Sequence, residues 1–201
     1  DFDPLRYLLT LAHREGIEVH AWLNIYYAWS DTKTPPPPTH VVARHPDWIL
    51  TDARGVRMDQ VPPSKWKSER IEGTFLSPGV AEFRAHMVNV VRELVTTYDV
   101  DGIHLDYVRY PNKNYSFDPH SRSRFLLTYG VDPVELAGNR KTLEKVVGAR
   151  TLAALDSLQS VSRSAQVDSM VAAIHGACGG KPLSAAVIAD YTNARGDKGQ
   201  D

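Results

Sequence analysis

Helices that alternate with short strands predict an α/β fold. More narrowly, they predict part of a (β/α)8 TIM barrel, about its strands three to five with their helices, carrying a long insertion that contains a β-hairpin. Three observations carry this. A helix-then-strand pattern occurs at about 4–24 and again from Ser77 to Asp106, and a third strand-like run, 183–189, follows a long helical stretch. Helices between strands imply a parallel sheet. Each strand closes on polar or aromatic residues, at the end where α/β proteins place their chemistry. Finally, 201 residues with three convincing strands fall short of the ~250 residues and eight strands of a full barrel. The chain therefore reads as one catalytic-type domain over 1–201, cut at both ends, with 27–79 inserted.

The elements follow in order. Asp3-Pro4 is an N-cap with proline in the first turn, Leu5, Leu8, Leu9 and Ala12 recur at helical spacing, and Gly16 is the stop. Residues 17–24 alternate as a strand, with Val19, Ala21 and Leu23 on one face and His20, Trp22 and Asn24 on the other. Pro35–Pro38 is a short polyproline stretch. Trp48–Thr51 and Val56–Met58 flank Asp52-Ala53-Arg54-Gly55 as a small hairpin. An aromatic-rich connection of this length reads either as a functional excursion or as a cap on the domain. Phe83, Met87, Val90, Val91, Leu94, Val95 and Tyr98 make the buried stripe of the next helix. It feeds the strand Gly102–Asp106, in which Ile103 and Leu105 oppose Gly102, His104 and Asp106. Helices are expected at about 119–129, 141–160 and 165–177, the first broken by Gly130-Val131-Asp132-Pro133. Leu183–Ala189 is a small-apolar run expected to be a fully buried parallel strand ending on Asp190-Tyr191.

Composition excludes several classes. A formal net charge of -1 points to neither nucleic acid nor acidic lipid. The single Cys178 cannot make an internal disulfide or a cysteine zinc site. No apolar run approaches the ~18–20 residues of a membrane span, and no signal peptide opens the chain. Its start at a helix cap suggests that something upstream is missing. Gly179-Gly180 closes a helix and precedes a strand, the wrong order for a dinucleotide loop, so no cofactor is expected.

Several segments together resemble the glycosyl-hydrolase-like 10 domain. These are His20-Ala21-Trp22-Leu23-Asn24 after the Asp3-Pro4 helix, the Trp48–Met58 hairpin, Leu76-Ser77-Pro78-Gly79, Tyr98 to Asp106 with Arg109-Tyr110-Pro111, and Leu183–Val187. The resemblance implies a (β/α) barrel distantly related to the α-amylase group. It also implies a bacterial protein of the cell envelope or secreted, acting on a polysaccharide such as peptidoglycan glycan strands. The family continues with a sixth strand and a further Pro-Gln/Met-x-Tyr-type segment, absent here. Two departures stand out. The amylase group has an arginine two residues before its nucleophile, where this chain has His104. Its acid is a glutamate after the fifth strand, where the nearest residue here is Asp190.

Glycoside hydrolysis generally uses two carboxyl groups, about 5–5.5 Å apart for retention and ~6.5–9.5 Å for inversion. Asp106 is the candidate nucleophile or charge stabiliser, against the reading of a structural aspartate bonded to loop amides or Arg109. Asp190 is the candidate acid, or equally the cap of a following helix. Asp101, at the opposite end of its strand, reads as structural. His20, Asn24, His104 and Arg109 are candidate substrate or carboxylate partners, and Trp22, Tyr26, Tyr107 and Tyr110 candidate sugar-ring platforms. Two alternatives stay open: a catalytic metal on His20, His104 and Asp106, and a carbohydrate-binding barrel without turnover.

Overall fold

The computed structural model describes residues 2–31, 33–191 and 194–200. Helix α1 (Pro4–Arg14) starts where the sequence places it, because the Asp3 carboxylate accepts from the Arg6 amide at 3.0 Å. It leads into β1 (His20–Asn24). The insertion then runs through β2 (Tyr27–Trp29), two single-turn helices α2 (Val41–Arg44) and α3 (Trp66–Glu69), and β3 (Thr74–Phe75). Helix α4 (Ala81–Thr97) precedes β4 (Gly102–Asp106). Helices α5 (Pro119–Tyr129), α6 (Pro133–Gly138), α7 (Arg140–Val147) and α8 (Ala149–Ala177) connect it to β5 (Leu183–Ala185).

β1, β4 and β5 form a parallel three-stranded sheet with β4 in the middle. Ile103 and Leu105 are fully buried on one face, in the same cluster as Phe83, Met87 and Val91 of α4 and Val167, Met170 and Ile174 of α8. Removing each such side chain from water stabilises the fold by about 1.5–3 kcal/mol. The opposite face is open. β1 alternates exposed His20, Trp22 and Asn24 with half-buried Ala21 and Leu23, as its period-two pattern requires.

Three expectations need correction. The run 183–189 is not a buried strand: β5 ends at Ala185, and Val187 is 69% exposed. β5 is an edge strand with no further neighbour among the described residues, and its small side chains offer little area to bury. The hairpin at 48–58 is present but cut short, to one antiparallel bridge, Thr51 to Arg57, with backbone bonds from the Asp52 amide to Val56 and from the Met58 amide to Leu50, each at 3.0 Å. There Asp52 takes over the backbone, its side chain accepting from the amides of Arg54 and Val56 at 2.8 and 2.9 Å. The expected pairs of helices at 141–160 and 165–177 are instead α7 and one long α8, broken at Gly148, whose φ of 81° suits glycine.

The insertion closes on itself, since β2 and β3, at its two ends, pair antiparallel. A buried polar network then ties it to the helices. Ser77 Oγ donates to Asp118 at 2.9 Å, Asp118 caps α5 through the Ser121 amide, and Ser121 Oγ donates to Gln166 of α8 at 3.3 Å. Gly79 is needed here, because a Cβ would lie 2.6 Å from Gln166 Oε1 and 2.7 Å from Ser121 Oγ.

Candidate functional site

In the parallel register Asn24 stands beside Asp106, Trp22 beside His104, and His104 beside Ser184. The carboxyl end of β4 and its open face therefore gather a carboxylate, an imidazole, an amide, a hydroxyl and an indole. Asp106 is half-buried. Its Oδ2 accepts from Trp22 Nε1 at 3.2 Å and its Oδ1 from the Tyr107 amide at 2.7 Å. The loop-amide bond foreseen for a structural aspartate is thus present. The expected Arg109 partner is not, because Arg109 reaches Glu72 at 3.0 Å. His104 Nδ1 is hydrogen-bonded to Ser184 Oγ at 2.9 Å, and its ring meets the Trp22 ring edge-on at 5.5 Å.

The strand ends abruptly after Asp106. Tyr107 adopts φ 50°, a left-handed conformation that costs a non-glycine residue roughly 1–3 kcal/mol. Packing holds it there: the ring stacks on Tyr27 at 4.4 Å, meets Phe75 edge-on at 5.8 Å and lies under the Arg109 guanidinium at 5.0 Å. Desolvation, with the Glu72 carboxylate second, raises the Tyr107 hydroxyl above its ordinary pKa. This cluster joins the site to both ends of the insertion.

Other candidates lie elsewhere. Tyr26 and Tyr110 are fully buried, so neither is a surface for a sugar ring. The Tyr110 hydroxyl donates to Gln166 at 3.2 Å, and burial drives its pKa far up. Their place in the sequence beside polar strand ends misled, because the backbone turn after each strand points these rings back into the core. His20 pairs with Gly102, at the end of the sheet opposite Asp106. Its imidazole lies against Gly102, where a Cβ would meet the ring at 2.5 Å, and 3.6 Å from Glu18. That separation removes it from a shared metal shell with Asp106, and among the described residues no group of three or more His, Cys, Asp or Glu side chains is placed to hold a metal ion. Asp190 is exposed on the segment leaving β5, and its carbonyl accepts from the Ala194 amide at 2.8 Å.

Asp101 is structural, as expected. Its Oδ2 accepts from the Val19 amide at 2.6 Å and from His13 Nε2 at 2.9 Å, tying α1 and β1 to the start of β4. Ser184 and Glu72 were missed by sequence reasoning. Alternation along β5 would have placed Ser184 beside His104, whereas nothing in the sequence marks Glu72. A cleft of about 840 Å³ lies apart from Asp106, bounded by the 52–54 turn, the 113–114 loop, α7 and α8.

Comparison with known proteins assigns the class. The fold is shared with two solved glycoside hydrolases. One is the PgaB (BpsB) glycoside hydrolase domain from Bordetella bronchiseptica, at 13% identity and TM-score 0.62 over 96% of this chain and 49% of that one. The other is α-L-fucosidase isoenzyme 2 from Paenibacillus thiaminolyticus, at 20% identity and TM-score 0.53 over 92% of this chain and 23% of that one. More narrowly, the Glycosyl hydrolase-like 10 model matches residues 1–136, and the chain belongs to that family. It is 30% identical over 115 residues to glycosyl hydrolase DigH of Escherichia coli, covering 52% of this chain and 22% of that protein. It is 28% identical over 114 residues to glycosyl hydrolase YngK of Bacillus subtilis, covering 56% of this chain and 19% of that protein. The chain thus spans about a fifth of the length of these curated relatives.

Proposed function

We propose that the chain is the central part of a (β/α)8 barrel glycoside hydrolase acting on a bacterial polysaccharide, with peptidoglycan glycan strands as the substrate. The observation that carries this reading is the half-buried Asp106 at the carboxyl end of the central parallel strand, on a face left open and furnished with Trp22, Asn24 and His104. In a closed barrel that face is the interior, and the carboxyl end of the strand is the mouth. Family membership supports the chemistry.

In the mechanism Asp106 acts as the ionised carboxylate, nucleophile or stabiliser of the developing oxocarbenium charge. The Trp22 indole N–H and the Tyr107 amide fix both of its oxygens, so the lone pairs are oriented before substrate arrives. Trp22, 68% exposed, offers its ring to a sugar face. His104, held through Nδ1 by Ser184, keeps Nε2 for a sugar hydroxyl, and Asn24 is the second polar partner. Arg109 supports the site from behind, clamped between Glu72 and the Tyr107 ring. Asp190 is the proposed acid. With this substrate goes a place in the cell envelope or outside the cell.

The test is glycan turnover by the chain and by versions extended at either end. Defined N-acetylhexosamine strands, with and without stem peptides, and α-linked glucan are each assayed for new reducing ends. Cleavage of the bacterial strands alone is expected. No cleavage of any glycan by the extended protein, with sugar binding retained, selects the binding barrel instead.

A further inference from the structure

The insertion reads in sequence either as a functional excursion or as a cap on the domain. Its contacts with the end of β4 favour the first. The Glu72 carboxylate, just before β3, accepts from Arg109 Nη2 at 3.0 Å. The Glu72 carbonyl accepts from the Tyr27 hydroxyl of β2, also at 3.0 Å. Both partners bear on one ring: Tyr27 stacks on Tyr107 at 4.4 Å, and the Arg109 guanidinium lies over it at 5.0 Å. Phe75 meets the same ring edge-on at 5.8 Å. Glu72 thus reaches Tyr107 by two routes, its backbone through Tyr27 and its side chain through Arg109.

What the ring holds is the backbone beside Asp106. Tyr107 sits at φ 50°, a conformation that a non-glycine residue keeps only where its surroundings impose it. From the side of β1, the Ile25 amide donates to the Asp106 carbonyl at 2.8 Å and the Tyr26 amide to the Tyr107 carbonyl at 3.3 Å. The aromatic clamp holds the side chain between those two carbonyls. The peptide joining Asp106 to Tyr107 carries the N–H that donates to Asp106 Oδ1 at 2.7 Å. Strain at Tyr107 is relieved by turning that peptide, which would carry the N–H off the carboxylate. The clamp and the Ile25 bond oppose this turn together. Arg109 can hold its part because its side chain is only 17% exposed and its charge is matched by Glu72.

We propose that the insertion is a positioning element of the site and that Glu72 is the residue through which it acts. By keeping Arg109 and Tyr27 against the Tyr107 ring, Glu72 keeps the Tyr107 N–H on Asp106 Oδ1. The inference rests on the reading of Asp106 as the reacting carboxylate, and gives Glu72 no contact of its own with the sugar.

Glu72→Ala and Arg109→Met open the clamp from its two ends. Hydrogen exchange of the Tyr107 amide, followed by proton–nitrogen NMR, reads the held N–H without any turnover. Exchange should quicken at least ~10-fold in each variant, while the Ile103 and Leu105 amides of the covered strand keep the parent rate. In the glycan-cleaving form of the protein, kcat should fall at least ~10-fold with KM within about twofold, since small misplacements of a reacting group cost up to about 10²-fold. Glu72→Gln, which keeps an oxygen for Arg109, should recover most of both. Tyr107 exchange at the parent rate in both variants overturns the proposal, whatever the activity. Faster exchange with kcat unchanged overturns it too, and Asp106→Asn then tells which part failed. An inactive Asp106→Asn leaves the catalytic carboxylate standing and removes Glu72 alone, whereas an active one removes both.

Discussion

On one face of β4, Ile103 and Leu105 are fully buried beneath α4 and α8; on the other, His104 and Asp106 stay half-exposed beside Trp22 and Ser184. Five consecutive residues thus serve two environments, separated only by the alternation of a strand. The covered face carries stability through apolar area. The open face holds polar groups in place through a few directed hydrogen bonds, Trp22 and the Tyr107 amide to Asp106 and Ser184 with His104. Substitutions on the first face should change folding and leave chemistry to follow. Those at His104 and Asp106 on the second should change chemistry and leave folding nearly alone, whereas Gly102, on the same face, lies against the His20 ring and matters to folding.

The largest stability effect expected from that contrast is at Leu105. Leu105→Ala should cost about 2–5 kcal/mol, the range for deleting a buried aliphatic side chain. It is read as the urea midpoint shift, and a loss below 1 kcal/mol would blur the distinction between the faces. Gly102→Ala comes next, at about 1–3 kcal/mol for an overpacked site. The added Cβ meets the His20 ring at 2.5 Å and the Pro182 carbonyl at 3.0 Å. Adding His20→Ala should recover part of the loss, because the ring contact is removed while the carbonyl contact remains. An unrelieved double variant would show that the Pro182 backbone, and not the histidine, sets the need for glycine.

The smallest effect concerns the amino end of β4. Hydrogen bonds from the Val19 amide, then His13, hold the Asp101 carboxyl below the usual carboxylate range. A depressed folded pKa contributes stability that is fully present above the unfolded value of about 3.9 and is lost as pH falls through the folded value. Asp101→Asn should therefore melt below the parent at pH 7, and the gap should close as the pH falls below about 4. A gap independent of pH would mean that the side chain matters by shape alone.

Much of this architecture was legible because it rests on local rules. Asp3-Pro4 opens α1, α5 lies where the sequence predicts a helix at 119–129, and the alternation in 102–106 places Ile103 and Leu105 in the core. Asp132-Pro133, which reads in sequence only as a break, in fact opens α6. What could not be read depends on tertiary neighbours. Leu183–Ala189 looks like a buried strand, yet burial requires a covering layer that its small residues do not recruit. The pairing of β2 with β3 joins segments too short to show a period. Within the site, the face shared by His104 and Asp106 follows from the strand. The Trp22 bond to Asp106 and the Glu72 bond to Arg109 cross between elements and leave no trace in the order of residues. Tyr26 and Tyr110 show the opposite error, with aromatic type taken as evidence of a ligand where burial was the cause.

Asp106→Asn is the most direct test of the open face as a catalytic one. Measured with the glycan-cleaving form of the protein, kcat should fall by at least ~10³-fold, the scale of losing a group on which the chemistry depends. The melting temperature should stay within about 2 °C, because the asparagine keeps the shape and lies off the apolar core. Turnover within threefold of the parent, in a variant that folds equally well, would contradict the account.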